Sequence, residues 1–169
     1  MNNKKYIYFV EGPCEKQLID ALHVPPLRVA PGKAIVCNVI QNLIPKSQML
    51  SIQPGTVVVL VFDTDKPITD KLQKNLELLS RYCTRIRIAT LAQVLDFEDE
   101  LVRSCNIKSV TEITRSKSVQ NFKTDFCRMK IPDCRASLER HGLDTKQLWR
   151  KNPRNPFTFI SQGADDVVI

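Results

Sequence analysis

Three carboxylates stand where a chain of this kind can do chemistry. Glu11 follows the apolar run Tyr6-Ile-Tyr-Phe-Val10, and Asp63 and Asp65 follow the β-branched run from Thr56 to Phe62. In an extended chain, residues i and i+2 point the same way, about 7 Å apart, and a curling loop brings them closer. Carboxylates held that near repel, and one takes up a proton unless a cation intervenes. Oxygen ligands of this type suit a hard divalent cation, Mg²⁺ or Mn²⁺. Each site also has a plainer reading: Glu11 as a favourable charge at the start of the next helix, Asp63 and Asp65 as turn residues. Two such sites, each after a strand with no other charge in it, favour the metal reading.

The elements that position these residues emerge from the pattern. Tyr6 to Val10 reads as a buried strand. Pro13 suits a first helical position, and Glu15 to Leu22 continues as a helix with Leu18, Ile19 and Leu22 on one face. Lys33 to Ile40 reads either as a strand or as the start of a helix. Thr56 to Phe62 is the strongest strand. Thr69 to Tyr82 is an amphipathic helix through Leu72, Leu76 and Leu79. Arg85 to Ala89 alternates basic and apolar residues, as an edge strand does. Alternation of this order predicts a parallel sheet with helices on its faces, and in such folds ligands bind past the carboxyl ends of the strands. The three carboxylates are therefore expected to converge there.

From Asp96 the pattern turns helical. Asp96 is expected to cap Phe97–Cys105, Ser116 or Ser118 a helix through Met129, and Asp133 one over Cys134–His141 closed by Gly142. Asp144 is expected to start a short helix through Trp149, and the tail from Lys151 reads as irregular.

The chain has 169 residues and a net charge of +7. Residues 1–100 carry 12 Lys/Arg against 11 Asp/Glu, whereas residues 101–169 carry 13 against 7. That asymmetry fits either a polyanion partner or a solvated basic surface. Arg128, Lys130, Arg135, Arg150 and Lys151 are candidate contacts to nucleic-acid phosphates, with Phe157 as a candidate stacking platform; Trp149 reads as core. No apolar run reaches the roughly 20 residues of a membrane span. The polar start and the short apolar stretch after it lack the form of a signal peptide. A cytoplasmic protein with free thiols is therefore expected from six cysteines and no CxxC pair.

Val10-Glu-Gly-Pro-Cys-Glu-Lys-Gln-Leu18 resembles the first motif of the Toprim family, an apolar strand, a glutamate, a glycine and a helix. Val57-Val-Val-Leu-Val-Phe-Asp-Thr-Asp65 resembles the second, a strand ending in DxD. The resemblance covers roughly residues 5–105. It implies an α/β, Toprim-like (Rossmann-like), mostly parallel sheet of about four strands over residues 1–105, with a helical basic extension, 106–169, packed on it. It also implies a Mg²⁺- or Mn²⁺-dependent nuclease acting on DNA or RNA, closest to the small stand-alone and OLD-like forms, some of which act in phage defence. Glu11 would serve as acid, base or metal ligand, and Asp63 and Asp65 as metal ligands. Asp96, Glu98 and Asp99 are candidates for the further carboxylate of nuclease-type members, and Lys123 for a cation facing the scissile phosphate.

Lys66-Pro67 replaces the glycine usual after DxD in topoisomerases and primases, and no tyrosine nucleophile is evident, which argues against those roles. The alternative is a non-catalytic module binding nucleic acid or a partner protein. A Walker-type nucleotide site lacks its Gly-rich GK[ST] loop, and zinc at Cys127, Cys134 and His141 lacks a fourth ligand.

Overall fold

The computed structural model describes residues 5–169; the first four residues of the polar start lie outside it. Four strands, β1 (Tyr6–Val10), β2 (Gly32–Val36), β3 (Val57–Asp63) and β4 (Arg87–Gln93), form one parallel sheet in the order β2-β1-β3-β4. The expected α/β, Rossmann-like architecture is thus present. β3 is apolar without interruption because both its faces are covered. Val57, Val59 and Val61 join one core cluster with Tyr8, Val10, Ala89 and Leu91. Val58, Leu60 and Phe62 join the other with Phe9 and Ala92. Each such side chain, fully buried, contributes roughly 1.5–3 kcal/mol.

The first face carries α1 (Pro13–Leu22), α4 (Phe97–Ser104), α6 (Val119–Arg128) and α7 (Ile131–Arg140), through Leu18, Ile19, Phe97, Leu101, Phe122, Phe126 and Leu138. Between α4 and α6 lies the single turn α5 (Thr111–Thr114). The second face carries α2 (Lys46–Leu50) and α3 (Asp70–Tyr82) through Met49, Leu72 and Leu79. Residues of the extension, Phe122 to Val167, share the first cluster with β1, β3 and α1.

Several local expectations are corrected. The stretch from Lys33 resolves as strand β2 only to Val36. Residues 37–45 form a loop instead, tied down by buried Asn75 of α3. That side chain accepts from Ile44 N at 2.8 Å and donates to the carbonyls of Val39 and Asn42. β4 runs on to Gln93, four residues past the expected end, in register with all of β3. Ser118, rather than Ser116, caps α6, accepting from Asn121 N, while Ser116 donates to Asp125. α7 begins at Ile131 with Pro132 in its first turn, so Asp133 is an acid inside that turn and not its cap. Gly142 does close the helix, at φ +73°. The expected helix from Asp144 is a run of turns: Asp144 folds back on Lys146 N and Gln147, and Trp149 at φ +57° ends it.

β4 lies at the sheet edge, and the tail covers it. Gly163 N donates to Thr90 O at 2.8 Å, and the Gln162 amide bonds both N–H and C=O of Ala92 as a neighbouring strand would. Gly163 suits this approach, because a Cβ there would stand 3.0 Å from that of Ala89 and the neighbouring strand would have to give. The helix α8 (Ala164–Val167) then packs Ala164 and Val167 into the core.

Candidate functional site

β1 and β3 are the central pair, and the chain leaves β1 toward β2 on one side and reaches β3 on the other. That reversal makes the carboxyl ends of β1 and β3 the switch point of the sheet, the usual ligand position in open α/β folds. Glu11 and Asp63 occupy it. The Glu11 Oε2 accepts the backbone N–H of Asp63 at 3.0 Å, joining two residues 52 apart in sequence. Asp65 lies two residues further along the loop and is exposed. The same loop borders an open hollow of about 400 Å³ lined by Ile40, Gln41, Lys66, Ile68, Asp70 and Lys71.

The direction of Asp63 is set by strand alternation. Val57, Val59 and Val61 face α1, α4 and α6, so Asp63 continues that row. It points into a layer of other charges. Burial pushes its carboxyl up from 3.8 to about 9, and Glu11, Glu15, Asp96 and Asp65 add to the rise. The Asp63 Oδ1 is buried with no hydrogen-bond partner among the described residues. A lone carboxyl so placed either stays protonated or needs a cation.

Glu15 is a site residue that the sequence pattern did not single out. It is buried in the first turn of α1, and its Oε2 accepts Gly12 N at 2.9 Å. Burial raises its pKa, and the Glu11 charge adds to that rise. A signal for it exists in the residues: a glutamate at the third helical position, reaching back to the residue before the helix, is half of a capping box.

Asp96 caps α4 as expected, its Oδ1 accepting Asp99 N at 2.9 Å. Glu98 and Lys123 do meet: Lys123 Nζ lies 3.0 Å from Glu98 Oε1. Burial lowers the lysine pKa, but the Glu98 contact, with Asp63 and Cys14 nearby, outweighs it and the net shift is upward. Glu98 Oε2 is buried without a partner among the described residues. On the backbone of the same turn, Lys123 O accepts the Cys14 thiol at 3.6 Å, so α6 is fastened to α1 beside the acids.

The acids sense one another without closing into a shell. Among the described residues, no three His, Cys, Asp or Glu side chains are grouped as a metal site in their present positions. The residues nonetheless fit a divalent cation chemically. Oxygen donors predominate, Lys123 offsets only part of their mutual repulsion, and the buried Asp63 Oδ1 faces no donor.

The basic residues divide. Arg128, Lys130 and Lys151 are exposed. Arg150 is exposed and paired with Asp165. Arg135, expected on the nucleic-acid face, is corrected: it is 4 % exposed and donates to Glu139 at 2.8 Å, Pro26 O at 3.0 Å and Ala21 O at 3.5 Å. Phe157 and Trp149 are both core, Phe157 against Phe62 with ring centroids 6.0 Å apart. None of the described helices is long and apolar enough to cross a membrane.

No family model, curated protein or solved structure matches the chain.

Proposed function

We propose that the chain is a Toprim-type nuclease in which Glu11, Asp63 and Asp65 hold Mg²⁺ or Mn²⁺ and a nucleic-acid phosphodiester is hydrolysed at the β1/β3 switch point. The observation that carries the reading is the half-buried Asp63 carboxyl, with four other acids near enough to raise its pKa and its Oδ1 buried and unpartnered. A cation held by these residues would supply positive charge at the departing oxygen. Glu11 orients the β3 end through the Asp63 N–H, and in this reading it takes a proton from an attacking water. That water forms a new P–O bond as one ester P–O bond breaks. Lys123, steered by Glu98, offers its charge to the phosphoryl oxygens, where negative charge accumulates. Arg128, Lys130 and Lys151 grip flanking phosphates.

Incubation of the protein with single- and double-stranded DNA and RNA in Mg²⁺ and in Mn²⁺ tests this. Cleavage that disappears in Asp63→Asn is the expected result. The second reading, a non-catalytic binding module, draws on the engagement of Glu11 by Asp63 N–H and of Lys123 by Glu98. Binding of nucleic acid without cleavage in either metal decides for it.

A further inference from the structure

Gln93 ends β4 directly beside Asp63, its register partner. It is 0 % exposed, and both its Oε1 and its Nε2 lack a hydrogen-bond partner among the described residues. An amide buried in this way is desolvated with no bond to offset it, so a purely structural residue here would be apolar. The row it belongs to is apolar: Ala89 and Leu91 precede it on the same face and join the first core cluster. Gln93 therefore points where Asp63 points, toward α1, α4 and α6, across a strand spacing of about 4.8 Å. Its backbone is already committed, the carbonyl accepting both Thr64 N at 3.0 Å and Thr64 Oγ1 at 3.1 Å. That fixes the base of the side chain against the DxD loop. Two side chains with unpartnered buried atoms, Asp63 and Gln93, are thus register partners at one sheet end.

We infer that Gln93 is a ligand-binding residue of this site: its Oε1 faces the divalent cation or a water on it, and its Nε2–H donates to a phosphoryl oxygen of the substrate. An amide suits both roles, because it offers an acceptor and a donor while adding no charge to an acidic cluster. The inference rests on the metal-dependent reading above and extends it by one residue and by the class of group recognised, a phosphoryl oxygen.

The test uses the full chain with Mn²⁺ alone, and then inorganic phosphate titrated into the Mn²⁺-loaded protein, both by calorimetry. Gln93→Leu is expected to weaken Mn²⁺ about tenfold to a hundredfold, the usual effect of losing a residue that orients a metal's ligands. It should also raise the melting temperature without metal, since the unpaired amide is gone. Gln93→Glu is expected to keep Mn²⁺ binding and lose phosphate, because it retains the acceptor and removes the donor. Unchanged Mn²⁺ affinity in Gln93→Leu, with binding lost in Asp63→Asn, overturns the role of Gln93 alone. Equal phosphate affinity in Gln93→Glu and the unaltered chain overturns the donor half. No Mn²⁺ binding by the unaltered chain overturns both the inference and the reading beneath it.

Discussion

Glu11 accepts the backbone N–H of Asp63 at 3.0 Å, so the loop after β1 and the end of β3 are held together by one of the acids proposed to work there. Glu11 also helps to keep the Asp63 carboxyl protonated. Glu11→Ala removes the acceptor and is expected to lower unfolding free energy by about 1 kcal/mol, the net worth of one hydrogen bond. Glu11→Gln keeps an acceptor oxygen and removes a charge, so its stability should equal or exceed that of the unaltered chain. Urea unfolding separates the two, and nuclease activity is expected to vanish in both.

Stability without metal should fall as pH rises. The Asp63 carboxyl titrates near 3.8 in the unfolded chain and about 9 in the folded one. Between those values the folded state binds the extra proton, so its stabilisation is complete at the acid end and is lost toward pH 9. The slope contributed by one proton reaches about 1.4 kcal/mol per pH unit. Asp63→Asn should remove this component, and saturating Mn²⁺ should flatten it by favouring the ionised form. Thermal melts from pH 5 to 9, with and without Mn²⁺, check both. An identical pH dependence in Asp63→Asn and the unaltered chain excludes this titration.

Lys123 and Glu98 form a pair whose halves are unequally placed, the lysine side chain 56 % exposed and the glutamate 16 %. Lys123→Met leaves Glu98 half-buried with neither oxygen partnered, and Glu98→Gln relieves that charge. The double variant should therefore be more stable than Lys123→Met, a coupling that a double-mutant cycle reads directly. On activity the order differs. Lys123→Met should lower kcat about 100-fold or more, the scale for losing a group that stabilises transition-state charge, and Glu98→Gln should not rescue it.

Much of this was legible in the residues and some was not. The β1 and β3 runs announce themselves because strands covered on both faces need apolar residues at every position, and Glu11 and Asp63 stand out as the first charges after them. Gln93 is hidden for the opposite reason. The segment leading into β4 alternates basic and apolar residues from Arg85 to Ala89, and the pattern gives no hint that the last polar residue of the strand lies inside. Arg135 shows the same blindness from the other side: a basic residue on a helix with Arg140 reads as surface, and only the approach of the Ala21 and Pro26 carbonyls makes it internal. The Asp144 segment stops short of a helix although Asp144 accepts Lys146 N as a cap would, because the chain reverses at Trp149, at φ +57°, and buries its ring.

Arg135 and the other basic residues should therefore behave differently on substitution. Arg135→Ala is expected to destabilise the fold by about 2–3 kcal/mol, the scale for charged hydrogen bonds, while leaving the salt dependence of nucleic-acid binding unchanged. Arg128→Ala, Lys130→Ala and Lys151→Ala should leave stability within about 0.5 kcal/mol. Each should reduce the slope of log affinity against log salt by about 0.9 if the partner is duplex DNA and about 0.7 if it is single-stranded. Fluorescence anisotropy across a salt series measures this, and an unchanged slope in all three places the nucleic-acid face elsewhere.

Glu100 decides how firmly the tail is held. It is fully buried in α4, with Oε1 accepting Trp149 N at 2.6 Å and Oε2 accepting Arg103 Nη2 at 2.6 Å. Burial raises its pKa, and the Trp149 N–H and Arg103 oppose that rise. Trp149 sits at positive φ where the chain turns toward the segment that covers β4. Glu100→Ala removes both contacts and leaves a buried N–H unpaired, so it should cost about 3–5 kcal/mol. The loss should appear first as release of the tail: limited trypsin digestion is expected to cut at Arg150 and Lys151 faster than in the unaltered chain, before the sheet unfolds. Glu100→Gln, which keeps an acceptor for Trp149 N, should fall between the two. If all three proteins are cut at the same rate, the tail is anchored through Gln162 and Gly163 on β4 and not through Glu100.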